Sequence, residues 1–314
     1  MESREILEIV DNVNEHLEKP ELVHSLKISS SIRTILSEYL KGIGYIEIPP
    51  VIISVITDPL NHPVFDPKID YYGHQYSITK SMIFHKQILA KHFKKVFAFS
   101  PNIRMETEEK IKTGRHLYEF TQLDLEQQYG TRDEMIDLAE NMIIHLFRKI
   151  RETNGDDLKA LSRDLTIPSK PFERIRYADA LENYGKEFES ILSSAKKEPF
   201  WIIDIPLNER EFYDRENENA PGTLIDMDLI YPEGYGEAIS GGEREFEYSK
   251  IIERIHKKGQ SEDQFKWYLE FAKDGFLPSA GFGIGIERLT RYVCGLERIE
   301  DVHPFPKVPG KLSL

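Results

Sequence analysis

Three stretches of the chain gather cations and carboxylates in patterns that an apolar core has no use for. The first runs Arg104-Met105-Glu106, crosses a charged turn, and resumes with Arg115-His116 ahead of Phe120, Asp124 and Glu126. If 95–104 and 116–129 are two strands of a hairpin, alternation puts Arg104 and Glu106 on one face, and His116, Phe120, Asp124 and Glu126 likewise. That face offers two cations, an aromatic ring and several carboxylates, which suits a nucleotide with a small polar substrate. A solvated hairpin is the competing reading. The second stretch is GFGIGIER at 281–288. Its alternate glycines, Gly285 the last, admit another group close to the strand, and Arg288 falls in the first turn of a following helix. The spacing is not that of a dinucleotide fingerprint. The third joins Asp226 and Asp228 to Glu237, Ser240 and Arg244. Carboxylates and a hydroxyl near phosphates are hard oxygen donors suited to Mg²⁺.

These groups need rigid elements to hold them. Helical spacing of apolar residues runs over 5–18 and again from Ile28 to Tyr39, where Gly42 and Gly44 stop it. A β-prone run at 45–48 meets Pro49-Pro50, and 58–70, rich in Pro, Asp and Asn, reads as a loop. Helices are expected at 82–93, 133–153, 250–258 and 262–273, with a strand-to-helix turn at 281–288. Long hairpin strands with helices beside them predict an α+β fold, an antiparallel sheet flanked by helices.

Composition narrows the function. The 314 residues carry 41 Lys and Arg against 54 Asp and Glu, a net charge of −13, which opposes broad wrapping of nucleic acid. One cysteine, Cys294, excludes an internal disulfide framework and a Cys-rich zinc site. The N-terminus lacks a basic start and apolar stretch, and the strongest apolar run, 51–56, is too short for a membrane span. A cytoplasmic protein is expected.

Arg104-x-Glu106, a loop and His116-Leu-Tyr-Glu-Phe120-x-x-x-Asp124 resemble motif 2 of the class II aminoacyl-tRNA synthetases. GFGIGIER resembles motif 3, and GIGYIEIPP after a long helix resembles motif 1, with Pro50 as its proline. MDLIYPEGYGEAISGGERE and DVHPFPKVP are similar to the aspartyl/asparaginyl subgroup. The resemblance spans about 22–310. It implies that Arg104 binds the α-phosphate of ATP, Arg288 and His116 the γ-phosphate end, and that Phe120 stacks on adenine with Glu106 near the base. Gly285 would lie against ATP. Glu237 and Asp228 would hold Mg²⁺, Asp226 being a rival for Asp228, with Ser240 beside them. Ser81 and Lys86 match the aspartyl pattern, and Lys86 with Arg244, buttressed by Asp124, implies an aspartate pocket.

Two departures shape the expected function. About 20 residues precede the resemblance where the family has an anticodon-binding barrel, so the domains are read as an N-terminal helix, 1–21, and a catalytic domain, 22–314. The family's clamp for the α-amino group is replaced near 56–66 by ITDPLNHPVFD, leaving Asp58 or Asp66 as candidates for the ammonium. The chain thus resembles stand-alone archaeal asparagine synthetases. The resemblance implies a homodimer that joins aspartate to ammonia through a β-aspartyl-adenylate, releasing AMP and pyrophosphate, without tRNA. Free ammonia follows because Met1-Glu2-Ser3 offers no N-terminal cysteine nucleophile. Two alternatives stay open: a minimal ligase that charges tRNA or another macromolecule, and a non-catalytic regulatory paralogue.

Overall fold

The computed structural model describes residues 3–111 and 113–314, so Met1 and Glu2 lie outside the described residues. An eight-stranded sheet organises the chain: β1 (Ile46–Glu47), β2 (Lys95–Ile103), β3 (Glu119–Gln128), β4 (Glu173–Arg176), β5 (Phe200–Ile203), β6 (Asp226–Tyr231), β7 (Gly236–Glu243) and β8 (Ser279–Gly285). The spatial order is β1-β2-β3-β8-β7-β6-β5-β4. The six strands from β2 to β5 pair antiparallel, while β1 on β2 and β4 on β5 are parallel. The expected α+β class is what the chain adopts.

Alternation along these strands sorts the side chains. One face carries Phe97, Leu123, Leu125, Met227, Leu229, Ala280, Phe282 and Ile284 into the main core. Three helices cover it: α1 (Pro20–Gly42), α2 (Arg132–Thr153) and α3 (Ile286–Cys294). The second of these starts at a capping box, Thr131 with Glu134, and buries Met135, Ile136, Ala139, Met142, Ile143, Leu146, Phe147 and Ile150 at helical spacing. A first helix, Ser3–Leu17, precedes them. In the isolated chain Ile43, Ile46, Ile52, Ile53 and Val55, in and beside the segment that resembles motif 1, are exposed.

The other face is polar and forms the floor of the site. Cross-strand register places Ala98, Asp124, Gly283, Ser240 and Asp228 in one row. The neighbouring row is Val96, Glu126, Gly281, Gly242 and Asp226. Each row therefore has an acid towards either end and a glycine between them. Helices Ile83–Ala90, Tyr248–Lys257 and Lys266–Lys273 wall this side through a second core that includes Phe84, Phe212, Ile251, Ile255 and Tyr268.

Several expectations shift. The segment 58–70 is not all loop: Val64–Phe65 pairs with Met105–Glu106, and Lys68–Tyr71 forms a hairpin with His74–Ile78. The strand expected to begin at His116 begins at Glu119, because Tyr118 instead bonds backbone to backbone with Arg104 and Lys307. Residues 155–225, whose weak periodicity gave no assignment, supply β4, β5 and several short helices.

Candidate active site

A cavity of about 330 Å³ opens on the polar face. Ser81, Lys86, Arg104, Glu106, His116, Phe120, Asp124, Glu237, Ser240, Arg244, Gly285 and Arg288 all line it. Asp228 lies just behind the lining, bonded to Arg210, which does line it.

One end has the groups for a nucleotide. Arg104 leaves β2 with its Nε donating to Lys80 O at 3.0 Å, and its guanidinium stands 5.2 Å from the Phe120 ring centroid. A ring already flanked by a cation on one side is a platform for a planar base. Glu106 is flanked by His62, whose Nε2 is 3.2 Å from Oε2. Arg288 donates to Glu237 Oε1 at 3.3 Å from the first turn of α3. Burial pushes the His116 imidazole down to about 3, helped by Arg288 and Arg115. His116 is therefore neutral at physiological pH and, lying outside β3, does not share the Phe120 face through strand alternation. The expected second cation of that face is absent there. Glu287, next to Arg288, accepts the Thr121 N–H with both oxygens at 3.0 Å and thereby ties α3 to the residue after Phe120.

The opposite end is densely charged. Lys86 Nζ donates to Asp124 Oδ1 at 2.9 Å and lies 4.0 Å from Glu126 Oε2. Arg244 donates to Asp214 at 2.7 Å, to Glu126 at 3.2 Å and to Gly281 O at 2.9 Å. Asp124 therefore holds Lys86; Arg244 is buttressed by Asp214 and Glu126, contrary to the sequence reading. Asp124 Oδ2 is buried with no hydrogen-bond partner among the described residues. Asp58, one of the two acids left open for an ammonium, lines the cavity and accepts the Tyr213 hydroxyl at 3.1 Å. The other, Asp66, faces the hairpin, 2.8 Å from Lys68 and 3.6 Å from Lys80.

The glycines serve close packing. A Cβ on Gly281 would stand 2.1 Å from Leu125 O and 2.3 Å from Glu126 Oε2, and one on Gly283 would stand 2.6 Å from Gln122 Nε2. What approaches the strand is thus its neighbour's backbone and side chains, which form the floor.

The two candidates for the metal differ. Asp226 is 1% exposed, accepts the Ile205 N–H at 3.0 Å, and burial pushes its carboxyl up to about 8, so it is a structural acid. Asp228 keeps a buried Oδ1 without a partner among the described residues. Burial raises its carboxyl to about 6, with Arg210 opposing and Glu237 adding to the rise. Burial also acts upward on Glu237, but Arg288, Arg210 and Arg104 outweigh it and lower the group. Among the described residues no three His, Cys, Asp or Glu side chains are grouped as a cage. Two nearby carboxylates with a bare oxygen fit a Mg²⁺ that keeps its waters and arrives with phosphates. Arg210, Asp214 and Tyr213 escaped the sequence reading because they stand in 205–225, which has no periodic pattern.

Comparison with known proteins supplies the context. A 28% identical relative, the asparagine–tRNA ligase of Thermoplasma acidophilum, aligns over 95% of this chain and 72% of its own length. The asparagine–tRNA ligase of Koribacter versatilis is 33% identical over 76% of this chain and 58% of its own. The asparaginyl-tRNA synthetase of Pyrococcus horikoshii, solved with asparaginyl-adenylate, superposes with a TM-score of 0.88 at 27% identity, covering 97% of this chain and 73% of that one. This chain thus spans about three-fifths to three-quarters of these proteins. The findings overturn the expectation of an ammonia-dependent asparagine synthetase that does without tRNA, since these relatives are tRNA ligases. That expectation leaned on the short segment before the resemblance and on the unusual sequence around 56–66, where Asp58 accepts the Tyr213 hydroxyl. No helix among the described residues is long and apolar enough to cross a membrane. The family model for class II tRNA synthetases of the D, K and N type matches residues 10–309, and the chain belongs to that family.

Proposed function

We propose that the chain activates an amino acid with ATP, forming an aminoacyl-adenylate and pyrophosphate, and passes the aminoacyl group to tRNA, with asparagine favoured over aspartate. The observation that carries this reading is the charge pairing at the amino-acid end of the cavity. Lys86 and Arg244 are already neutralised by Asp124, Glu126 and Asp214, so a substrate side-chain carboxylate would add a negative charge where no cation is spare. A carboxamide adds none, and its N–H₂ would satisfy the orphaned Asp124 Oδ2 while its oxygen accepts from Lys86. The names of the relatives support the same choice.

The remaining roles follow from position. Asp58 would take the α-ammonium, leaving the α-carboxylate free to attack the α-phosphate, with the bond to pyrophosphate breaking opposite the attacking oxygen. Phe120 would carry adenine, and Arg104 would neutralise charge building on the α-phosphate. Arg288 would face the leaving pyrophosphate, while neutral His116 would donate a hydrogen bond to it. Asp228 and Glu237 would hold the Mg²⁺ that accompanies ATP, which supplies charge neutralisation on the phosphates. Catalysis would come from positioning and electrostatics, with no covalent enzyme intermediate.

The test is amino-acid-dependent exchange of pyrophosphate into ATP, run with asparagine and with aspartate, followed by transfer of labelled amino acid to bulk tRNA. Exchange with asparagine and label on tRNA are expected. No exchange with either amino acid, or exchange with aspartate alone, refutes the reading.

A further inference from the structure

Arg210 lines the cavity yet belongs to no motif that the sequence singled out, and its partners are unusual. It comes from the segment between β5 and β6, and its side chain is 20% exposed. Its Nε is 3.4 Å from Asp226 Oδ2, and its Nη2 donates to Asp228 Oδ2. One guanidinium thus spans two acids spaced two residues apart on the same face of β6. Asp226 is itself fixed from behind by the Ile205 N–H, so it anchors the near side of the fork. The outcome at Asp228 is asymmetric: Oδ2 is taken by Arg210, whereas Oδ1 is buried and has no partner among the described residues. A carboxylate pinned through one oxygen has its rotation about the Cβ–Cγ bond fixed, and so the direction of its other oxygen is fixed too.

We propose that Arg210 is a positioning residue, anchored by Asp226, that turns Asp228 Oδ1 towards the divalent cation accompanying ATP. The inference rests on the nucleotide reading above. A planar fork is needed because it contacts both acids at once, which an ammonium on a flexible stem does less well. Without Arg210 the two acids sit side by side on one face of β6 with no guanidinium between them, and Asp228 is free to rotate. Asp226 then acts only through Arg210, although it touches neither cation nor nucleotide.

The experiment is binding of Mn²⁺ in the presence of ATP and without amino acid, read by the loss of the free Mn²⁺ electron paramagnetic signal beyond the loss that the same ATP causes without protein. Wild type, Arg210→Met, Arg210→Lys, Asp226→Asn and the Arg210→Met/Asp226→Asn double variant are compared, with melting temperatures measured beside them. Arg210→Met should weaken the Mn²⁺ of the ATP complex by about 10- to 100-fold, the range for losing a group that orients a metal ligand. Arg210→Lys should recover part of the loss. Asp226→Asn alone should weaken it, yet add nothing in the Arg210→Met background. ATP affinity in EDTA should be unchanged in all variants; an equal loss there would mean that Arg210 touches the nucleotide itself and would overturn the proposal. Variants that melt early but bind Mn²⁺ as the wild type does would also overturn it, as would additive losses in the double variant. If Arg210→Met does not fold, Arg210→Lys and Asp226→Asn decide alone: unchanged Mn²⁺ binding in both refutes the positioning role. Wild type that gathers no Mn²⁺ with ATP would overturn the nucleotide reading together with this inference.

Discussion

Replacing Asp124 with asparagine removes one negative charge from the amino-acid end of the cavity while keeping the side chain's size. In the native site Asp124 and Lys86 are 3% and 5% exposed and 2.9 Å apart. A ligand carboxylate touching Lys86 would lie about 4 Å from Asp124, and at an effective dielectric near 20 that repulsion is about 4 kcal/mol. Its removal could shift the ratio of asparagine to aspartate affinity by as much as about a thousandfold towards aspartate. Relaxation of the pocket around the new amide reduces this figure, so at least a tenfold shift is the working expectation. The fold also loses a partner for a buried cation. Breaking a buried pair costs about 3–5 kcal/mol, and the low end applies because Glu126 and Phe282 O remain near Lys86. Calorimetric titration of both amino acids, with urea melts of the same proteins, measures both effects. A folded variant whose ratio is unchanged, or moves towards asparagine, would refute the reasoning.

Arg104→Ala and Arg288→Ala should each lower pyrophosphate exchange by about 10²-fold or more, with little change in melting temperature, since each faces the cavity and not the core. Near-normal exchange by either would sink the phosphate assignment. Glu140→Ala leaves the Phe172 N–H and the Trp201 indole N–H without their acceptor at 3.1 and 3.0 Å, and should cost about 2–4 kcal/mol in urea unfolding. A loss within experimental error would show that the two donors find other acceptors. Burial pushes the Glu287 carboxyl from 4.5 up to about 7, so the folded state keeps a proton that the unfolded chain releases. Its contribution to stability is present below pH 4.5 and is lost as pH rises through 7. Between pH 5 and 8 the wild-type melting temperature should therefore decline more steeply than that of Glu287→Gln; parallel profiles would contradict this.

Where chemistry and periodicity coincided, the sequence was readable. The alternation at 119–128 and 279–285 placed Asp124, Glu126 and the glycines on one face, and the register of the sheet brings them together. His116 misled because strand character in its side chains extends past the point where the backbone leaves the ladder. Lys86 was recognised, and Asp124 holds it as the sequence suggested; the pairing of Arg244 with Asp214 and Glu126 is a fact of three-dimensional distance. Arg210, Tyr213 and Asp214 were invisible for a different reason. They sit on irregular backbone whose path is set by long-range contacts, such as the Ile205 N–H to Asp226, and not by local pattern.

The bare glycine rows have one more consequence. On β8 Arg244 reaches the Gly281 carbonyl at 2.9 Å and Lys86 lies 3.4 Å from the Phe282 carbonyl. Carbonyl oxygens do not titrate in the biological range. The two cations are therefore moored to the sheet itself as well as to its acids. A relative that altered its amino-acid preference would have to do so by exchanging the acids at the edges of the trough, because a side chain on Gly281 would meet Leu125 O at 2.1 Å.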